Sequence, residues 1–440
     1  MASPTASHPL PSTGAQTGVL EALAFFRDPL FAQTRFARLG DVFETSLIGQ
    51  RLVFIRGDAA ITDLLSQSDA VEGWWPDSVR RLLGSRSLAN RNGAAHKARR
   101  RVVGQLFSAA ALQRYSPAIL QLVDELAAEL ASSSTPIPLA DRMRRFAFAV
   151  IASVVLGLDD LDRDALFNDF EIWTKALFSV PLALPGTPFA KALKARSRLL
   201  ARLKRVLQRA DCSRGGLDLL AGGLDEAGIP LSDDDLVEQL LLLLFAGYET
   251  TASSLSCLMR ELLLQPALTT WLREETDQLP WPPAADQAPV AYDRNRAPRL
   301  EALVQEVMRM TPPVGGFFRR TTKPITLAGV TVPEDRVIQV ALAASNRFGQ
   351  GDLEVFRPQR HLEASSERPM LMPFGGGERV CLGKALAELE IRLMVVGLLH
   401  QVDPILTPDQ DVSLQLIPSP SPRDGLKVQA SGGRSGRVDA

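Results

Sequence analysis

The sequence is poor in cysteine and histidine, with three cysteines and four histidines among 440 residues. The cysteines, at positions 212, 257 and 381, are too few for a disulfide framework and too far apart for a Cys-x-x-Cys metal site, which indicates a reducing compartment. With a formal net charge of -1, the chain has no excess of basic residues to attract nucleic acid. It lacks a basic start followed by an apolar segment, so we expect no signal peptide and no membrane anchor, and a soluble cytoplasmic protein.

Helical periodicity dominates the chain. From residue 58 to beyond residue 207 most segments have apolar residues at helical spacing, whereas strand-like alternation is confined to short pieces. These pieces are Val42–Leu47, Arg51–Ile55, Ile325–Leu327, Val330–Val332 and Val337–Val340. The first two, separated by Gly49 and Gln50, are predicted to form a hairpin. We therefore predict a mainly α fold with a small β region, as a single domain over residues 18–430. Residues 1–17, rich in Ser, Pro and Thr, are predicted to be a flexible leader, and residues 431–440 a disordered tail.

One cysteine stands between a glycine-rich loop and a helix. The loop runs from Phe374 to Gly383 and contains Cys381, and strong helix formers follow it. A cysteine at a helix N-terminus is stabilised as a thiolate by unpaired N–H groups and the positive end of the helix dipole. Gly375 and the other glycines let the backbone approach a flat ligand, and Arg379 offers a fixed charge to a carboxylate on that ligand. Together these features predict a thiolate-ligated haem.

A second candidate site lies in a long helix, where the apolar run Leu240–Phe245 leads into residues 246–250. Ala246 and Gly247 leave little side chain on the helix, so a flat cofactor or dioxygen can come close to its backbone. The Thr250 hydroxyl can donate to the Ala246 carbonyl and make room for water. Glu249 beside it would draw protons from solvent. Glu249 and Thr250 are therefore the predicted catalytic pair of a proton relay.

The cysteine loop carries the pattern Phe-x-x-Gly-x-Arg-x-Cys-x-Gly, filled by Phe374, Gly377, Arg379, Cys381 and Gly383. By this pattern, and by Ala-Gly-x-Glu-Thr at residues 246–250, the chain resembles the cytochrome P450 superfamily from about residue 20 to about residue 428. The resemblance implies the cytochrome P450 fold and haem b with an axial cysteine thiolate. It also implies a monooxygenase that inserts one atom of dioxygen into a C–H bond of an apolar small molecule. No flavin or nicotinamide module is appended, so electrons are expected from a separate ferredoxin- or flavodoxin-type donor.

The same resemblance implies roles for residues elsewhere in the chain. Besides Arg379, three residues match the family's ligands of the haem propionates: His96, Arg100 and Arg319. Three more residues match a buried triad of the family, which supports the haem loop and takes no part in catalysis: Glu306, Arg309 and Arg360. A basic stretch predicted to receive an acidic electron donor contains Lys97, Arg99 and Arg101.

Apolar side chains in predicted loops are the candidate substrate contacts. They are Trp74, Trp75, Phe178, Val314 and Phe317, of which Phe178 begins an apolar segment that ends at residue 189. Within the superfamily, residues 184–187, 312–316 and 374–377 look similar to the retinoic-acid hydroxylases and their soluble bacterial relatives. The expected substrate is retinoid- or terpenoid-like, and the alternative is a sterol or a fatty-acid-like molecule.

Three other functions are open on the sequence alone. A haem-thiolate isomerase or peroxygenase would need no electron donor, although intact Glu249 and Thr250 argue against one. A haem or lipid sensor would bind its ligand without turnover. A cysteine hydrolase would need a histidine base near Cys381, and the sequence has no nucleophile motif. The histidines available are His8, His96, His361 and His400.

Overall fold

Helices make up most of the computed structural model, which describes residues 8–15, 18–28, 30–158, 160–177, 179–208, 215–349, 351–363 and 371–433. In chain order they are α1 Val19–Arg27, α2 Phe31–Leu39, α3 Asp58–Ser66, α4 Asp77–Leu83, α5 Gly93–Gly104, α6 Ala109–Ser132, α7 Leu139–Ala149, α8 Asp160–Thr174, α9 Pro188–Leu207, α10 Asp233–Leu264, α11 Pro266–Thr276, α12 Ala288–Ala291, α13 Pro298–Met310, α14 Leu342–Ser345 and α15 Lys384–Gln401. A π-helical segment, Val150–Val155, directly follows α7.

The strands are short, as predicted. They are β1 Val42–Leu47, β2 Gln50–Ile55, β3 Val71–Gly73, β4 Ile137–Pro138, β5 Phe317–Thr321, β6 Ile325–Leu327, β7 Val330–Val332, β8 Val337–Val340, β9 Val402–Leu406, β10 Leu414–Gln415, β11 Ser421–Pro422 and β12 Lys427–Gly433. The predicted mainly α fold with a small β region is confirmed.

The chain forms two compact units. Unit 1 comprises Met1–Trp75, Met308–Arg357 and Glu363–Cys381, and unit 2 comprises Pro76–Val307, Pro358–Leu362 and Leu382–Ala440. Each unit is assembled from three separate stretches of sequence, so neither is a contiguous segment joined by one linker.

Unit 1 is built on a five-stranded sheet with the strand order β1-β2-β8-β5-β3. The predicted β1–β2 hairpin turns at Ile48 and Gly49, which both have positive φ, as a tight hairpin turn requires. Strand β8 runs parallel to β2, and β5 runs antiparallel to both β8 and β3. The register of β3 against β5 places Gly73 opposite Arg319. Strand β5 was not among the predicted strands.

The structure revises both predicted chain ends. Within the predicted leader, the His8 N–H donates to the Gly329 carbonyl at 3.0 Å and the Thr13 N–H to the Glu44 carbonyl at 3.0 Å, so residues 8–15 are tied to unit 1. Within the predicted tail, Gly433 pairs with Val402, so β12 continues beyond residue 430. Both corrections rest on backbone hydrogen bonds, which side-chain patterns do not report. Residues 1–7, 16–17 and 434–440 lie outside the described residues.

Unit 2 is helical and contains the longest helix, α10, which packs against α7, α9 and α15. The Ser232 hydroxyl caps it by accepting from the Asp235 N–H at 3.2 Å, as the spacing of these residues predicts. Three aspartates in its first turn stabilise the helix, because their negative charges lie at the positive end of the helix dipole. By length and composition α10 could cross a membrane, but 67% of its most apolar window is buried inside the protein.

Candidate active site

The cysteine loop is closed by a backbone hydrogen bond. The Cys381 N–H donates to the Phe374 carbonyl at 2.9 Å. Gly375 has φ 69, in the left-handed region that glycine adopts without steric cost. Gly383 is the N-cap of α15, and the Cys381 side chain is exposed just before it. The loop therefore presents one sulfur atom beside a helix N-terminus, as predicted.

Two arginines from distant parts of the sequence meet in unit 1. Arg319 lies on β5 and Arg379 in the cysteine loop, and both line a small cavity together with Gly73 of β3. Burial and, to a lesser extent, the positive charge of Arg379 lower the pKa of Arg319 to about 10. Two guanidinium groups held this close favour an anion between them, because each destabilises the other's charge. The structure thus brings together two of the predicted propionate ligands.

The other two predicted propionate ligands lie one helical turn apart in unit 2. Helix α5 carries both His96, which is buried, and Arg100, which is half-buried. Their spacing of four residues places them on the same face of the helix, as predicted.

Arg99 does not belong to an exposed basic surface. Its guanidinium is buried and donates to Asp235 Oδ2 at 2.6 Å and to Glu226 Oε2 at 2.7 Å. That part of the prediction is wrong because two carboxylates from later in the chain neutralise Arg99 inside unit 2. Lys97 and Arg101, four residues apart, remain on the exposed face of α5.

The turn of α10 at residues 246–250 has the predicted hydrogen bond. The Thr250 hydroxyl donates to the Ala246 carbonyl at 2.7 Å. Ala246 is exposed, although it lies midway along a helix whose neighbouring turns are largely buried. An added Cβ on Gly247 would lie 2.4 Å from Cγ1 of Ile151 in the π-helical segment, so packing within unit 2 already excludes a side chain there. The exposed Ala246, with the half-buried Thr250 one turn later, leaves room beside the helix.

Glu249 is held in an environment that favours its neutral form. Burial raises the pKa of Glu249, the charge of Glu171 raises it further, and the charges of Arg144 and Lys175 act in the opposite direction. Glu171 itself accepts from Lys175 Nζ at 2.9 Å. A carboxyl group with a raised pKa keeps its proton to a higher pH than an exposed one and can still release it, as a relay requires.

Comparison with known proteins identifies the family of the chain. The model of the family described as Cytochrome P450 matches residues 28–428. The chain belongs to the cytochrome P450 family. This membership confirms the predicted cytochrome P450 fold, the monooxygenase class and the haem-thiolate cofactor.

Relatives of this cytochrome P450 match it over nearly their whole length. It is 33% identical over 441 residues to the putative cytochrome P450 120 of Synechocystis sp., an alignment that covers 97% of this chain and 98% of the relative. It is 30% identical over 426 residues to cytochrome P450 26B1 of Danio rerio, covering 93% and 83% of the two chains. Among solved structures, retinoic-acid-bound cyanobacterial CYP120A1 superimposes with a TM-score of 0.88 at 32% identity, over 96% of this chain and 99% of that one.

The residues of this cytochrome P450 fit a haem group. Among the described residues no group of three or more His, Cys, Asp and Glu could hold a metal ion, so iron bound by Cys381 needs the macrocycle for its other ligands. The adjacent guanidiniums of Arg319 and Arg379 suit the two carboxylates of haem. In unit 2, the exposed Ala246 gives a flat group access to the backbone of α10. The donor set, the charges and the space are each what haem requires.

Two members of the predicted structural triad, Glu306 and Arg309, are buried, and a residue outside the triad also pairs with Glu306. In unit 2 the fully buried Glu306 accepts from Arg360 Nε at 3.0 Å and pairs with His361 Nε2 at 2.8 Å. In unit 1 the buried Arg309 donates from Nη1 to the Leu353 carbonyl at 2.7 Å. These contacts suit the predicted structural role. The pairing of His361 with Glu306 was not predicted from the sequence. The position of His361 directly after Arg360, a predicted partner of Glu306, could have indicated it.

The candidate substrate residues have packing partners of their own. The Trp74 ring packs edge-on against Phe318, with centroids 5.4 Å apart, and the Arg319 guanidinium lies 4.6 Å from the centroid of the Phe317 ring. Val314 is 44% exposed. These contacts anchor Trp74 and Phe317 within unit 1. Their contact with substrate stays a prediction. Two further candidates are placed as follows: Trp75 is half-buried, and Phe178 lies outside the described residues.

The apolar segment that follows residue 178 is mostly exposed. Val180 is 77% exposed, Leu182 50% and Leu184 57%. Phe189 is fully buried, with the Arg81 guanidinium 4.8 Å from its ring centroid. The Phe189 ring therefore lies in the core of unit 2.

Proposed function

We propose that this cytochrome P450 oxygenates a C–H bond of an elongated apolar molecule with one polar end, of the retinoid or terpenoid class. The observation that carries the substrate class is the full-length match to a cyanobacterial cytochrome P450 whose structure holds retinoic acid. The similarity to cytochrome P450 26B1 extends over 93% of this chain and supports the same subfamily.

The cofactor assignment follows the geometry of each unit. In unit 1, Cys381 would ligate the iron and Arg319 and Arg379 would hold the propionates, while Phe374 and Gly375 shape the loop. The residues of unit 2 that complete the assignment are His96, Arg100, Ala246, Gly247 and Gly383. When bound, the thiolate-ligated haem supplies dioxygen activation.

Two side chains of α10 deliver protons. Glu249 keeps a proton at its carboxyl group because burial raises its pKa, and it lies next in sequence to Thr250. The Thr250 hydroxyl uses its own proton in the bond to the Ala246 carbonyl, so its oxygen lone pairs face outward as an acceptor for an ordered water. Glu249 thus supplies the proton to the relay, and Thr250 positions the water that passes it on to the reacting oxygen.

Electrons come from a separate ferredoxin- or flavodoxin-type protein in the cytoplasm. Lys97 and Arg101 lie on the exposed face of α5 and offer two positive charges to an acidic donor. We expect charge reversal at both positions to slow reduction and to weaken its dependence on ionic strength.

The function is tested by ligand binding and turnover together. Purified protein is titrated with retinoic acid, retinal and a diterpene, and displacement of the iron's water ligand is followed by absorbance. NADPH consumption and product are then measured with a surrogate ferredoxin pair. Binding of retinoids with hydroxylated product supports the proposal. Binding of sterols or fatty acids alone would move the substrate to the alternative class, and turnover with peroxide but no reductant would overturn the monooxygenase reaction.

A further inference from the structure

Arg379 rests directly on the backbone of β3. An added Cβ on Gly73 would lie 2.3 Å from Cζ of Arg379 and 2.6 Å from both Nε and Nη1. All three atoms belong to the guanidinium group, so that group occupies the space a side chain at Gly73 would need. Real Cβ atoms essentially never approach other heavy atoms within 3.0 Å. The position of the Arg379 charge therefore depends on the absence of a side chain at Gly73.

Gly73 also stands opposite the second arginine of the pair. In the antiparallel pairing of β3 with β5, Gly73 is in register with Arg319. The Arg319 guanidinium is fixed by donating to the Phe318 carbonyl at 2.8 Å and by lying over the Phe317 ring. One residue of β3 thus borders both positive charges of the cavity.

Two acidic residues, Glu72 and Glu378, also line this cavity. Glu72, next to Gly73, accepts from Arg320 at 3.0 Å. Arg320 follows Arg319 on β5 and therefore points to the opposite face of the sheet. Glu378 lines the same cavity and precedes Arg379 in the loop.

We propose that Gly73 is a positioning residue for the haem: by lacking a side chain, it lets the Arg379 guanidinium lie against β3 opposite Arg319, where the two charges hold the haem carboxylates. The inference rests on the proposed assignment of Arg319 and Arg379 to the propionates, but it does not depend on which substrate is oxidised. It assigns to a residue outside the recognised motifs a role in holding the cofactor.

The test measures haem loss from Gly73→Ala. Holoenzyme is mixed with an excess of apomyoglobin, and transfer of haem is followed by absorbance. Displacing one charged hydrogen-bond donor from a carboxylate should speed haem loss about tenfold or more. Gly315→Ala is the matched control in unit 1, because its added Cβ would meet only the Ala343 Cβ at 4.0 Å, and it should release haem like wild type.

Haem dimethyl ester separates positioning from general destabilisation. This haem has no free carboxylates, so Gly73→Ala and wild type should lose it at equal rates if Gly73 acts through Arg379. In an Arg379→Lys background the planar group that collides with the added methyl group is gone, so Gly73→Ala should add little to the rate of loss. The ferrous carbon monoxide spectrum should be the same in wild type and Gly73→Ala, because Cys381 is unchanged.

Three results would overturn the proposal: equal loss of native haem from wild type and Gly73→Ala, an equal effect of the variant on native and esterified haem, or additive effects of Gly73→Ala and Arg379→Lys. If Gly73→Ala takes up no haem, recovery of haem binding in the double variant supports the proposal, and failure to recover contradicts it. Failure of the substrate proposal would leave all of these rates unchanged.

Discussion

The cysteine loop and the turn of α10 at residues 246–250 both contain an essential glycine, but the physical reasons differ. In the loop, Gly375 has φ 69 and an added Cβ would meet nothing within 4 Å, so only the backbone conformation selects glycine. In α10, an added Cβ on Gly247 would lie 2.4 Å from Cγ1 of Ile151, so a neighbouring segment selects it. The constraint on the loop is local, whereas the constraint on the helix comes from tertiary packing.

The same difference separates the chemistry of the two regions. Cys381 gains its position from a loop hydrogen bond and from the helix that follows it in sequence. Glu249 gains its raised pKa from burial and from Glu171, which is distant in sequence. Changes in the loop should therefore remove the cofactor, and changes at Glu249 and Thr250 should leave the cofactor bound while altering proton delivery.

The largest effect in the α10 turn is expected for Thr250→Ala. Without the hydroxyl, the ordered water is lost, and product per NADPH should fall by roughly a hundredfold as electrons are diverted to hydrogen peroxide. NADPH, peroxide and product are measured together, and Thr250→Ser, which keeps the hydroxyl, is the control. The carbon monoxide spectrum should be unchanged. Unaltered coupling in Thr250→Ala would remove Thr250 from the relay and erase the functional difference between the regions.

A smaller effect, on stability, should distinguish the two glycines directly. Gly375→Ala and Gly247→Ala should each lower the free energy of unfolding by about 1–3 kcal/mol, through backbone strain in the first case and overpacking in the second. In an Ile151→Ala background the cost of Gly247→Ala should shrink, whereas the cost of Gly375→Ala should persist. Denaturant unfolding of the single and double variants measures both. If Ile151→Ala reduces the stability cost of both glycine substitutions equally, the two glycines are not selected for different reasons.

The smallest effect is a pH dependence from Glu249. Because its pKa is raised above the ordinary value of 4.5, the folded protein binds this proton more tightly than the unfolded chain does. Its contribution to stability is therefore fully present below pH 4.5 and is lost as pH rises through the raised pKa. Tm measured against pH should fall less steeply in this window for Glu249→Gln than for wild type.

The product formed per NADPH should also change with pH as Glu249 titrates. Product per NADPH in wild type should decline as Glu249 ionises, and Glu249→Gln should be low at every pH because an amide cannot supply the proton. Burial sets this window first, and the charges of Arg144, Glu171 and Lys175 adjust it. Parallel Tm curves for wild type and Glu249→Gln would show that Glu249 titrates as an ordinary exposed carboxyl group.

Sequence patterns predicted the features that neighbouring residues determine. The β1–β2 hairpin, the start of α15 after the cysteine loop and the bond from Thr250 to the Ala246 carbonyl are all confirmed. Each depends on residues a few positions apart, so their spacing carries the information.

What the sequence could not supply depends on distant partners. Arg99 was predicted on the surface, but Asp235 and Glu226 pair with it in the interior. The contact of Gly73 with Arg379 likewise joins residues that are far apart in sequence and belong to no common pattern. Such pairings arise only when the fold brings distant elements together.

Thiolate ligation by Cys381 is tested most directly by the absorbance of the ferrous carbon monoxide complex, recorded for wild type, Cys381→Ala and Cys257→Ala. Cys257 is the other described cysteine and is buried on α10, so it serves as the matched control. Wild type and Cys257→Ala should show the red-shifted Soret band that marks thiolate ligation, and Cys381→Ala should lack it. The same band in Cys381→Ala would mean that another residue ligates the iron, and would contradict the assignment of the cysteine loop.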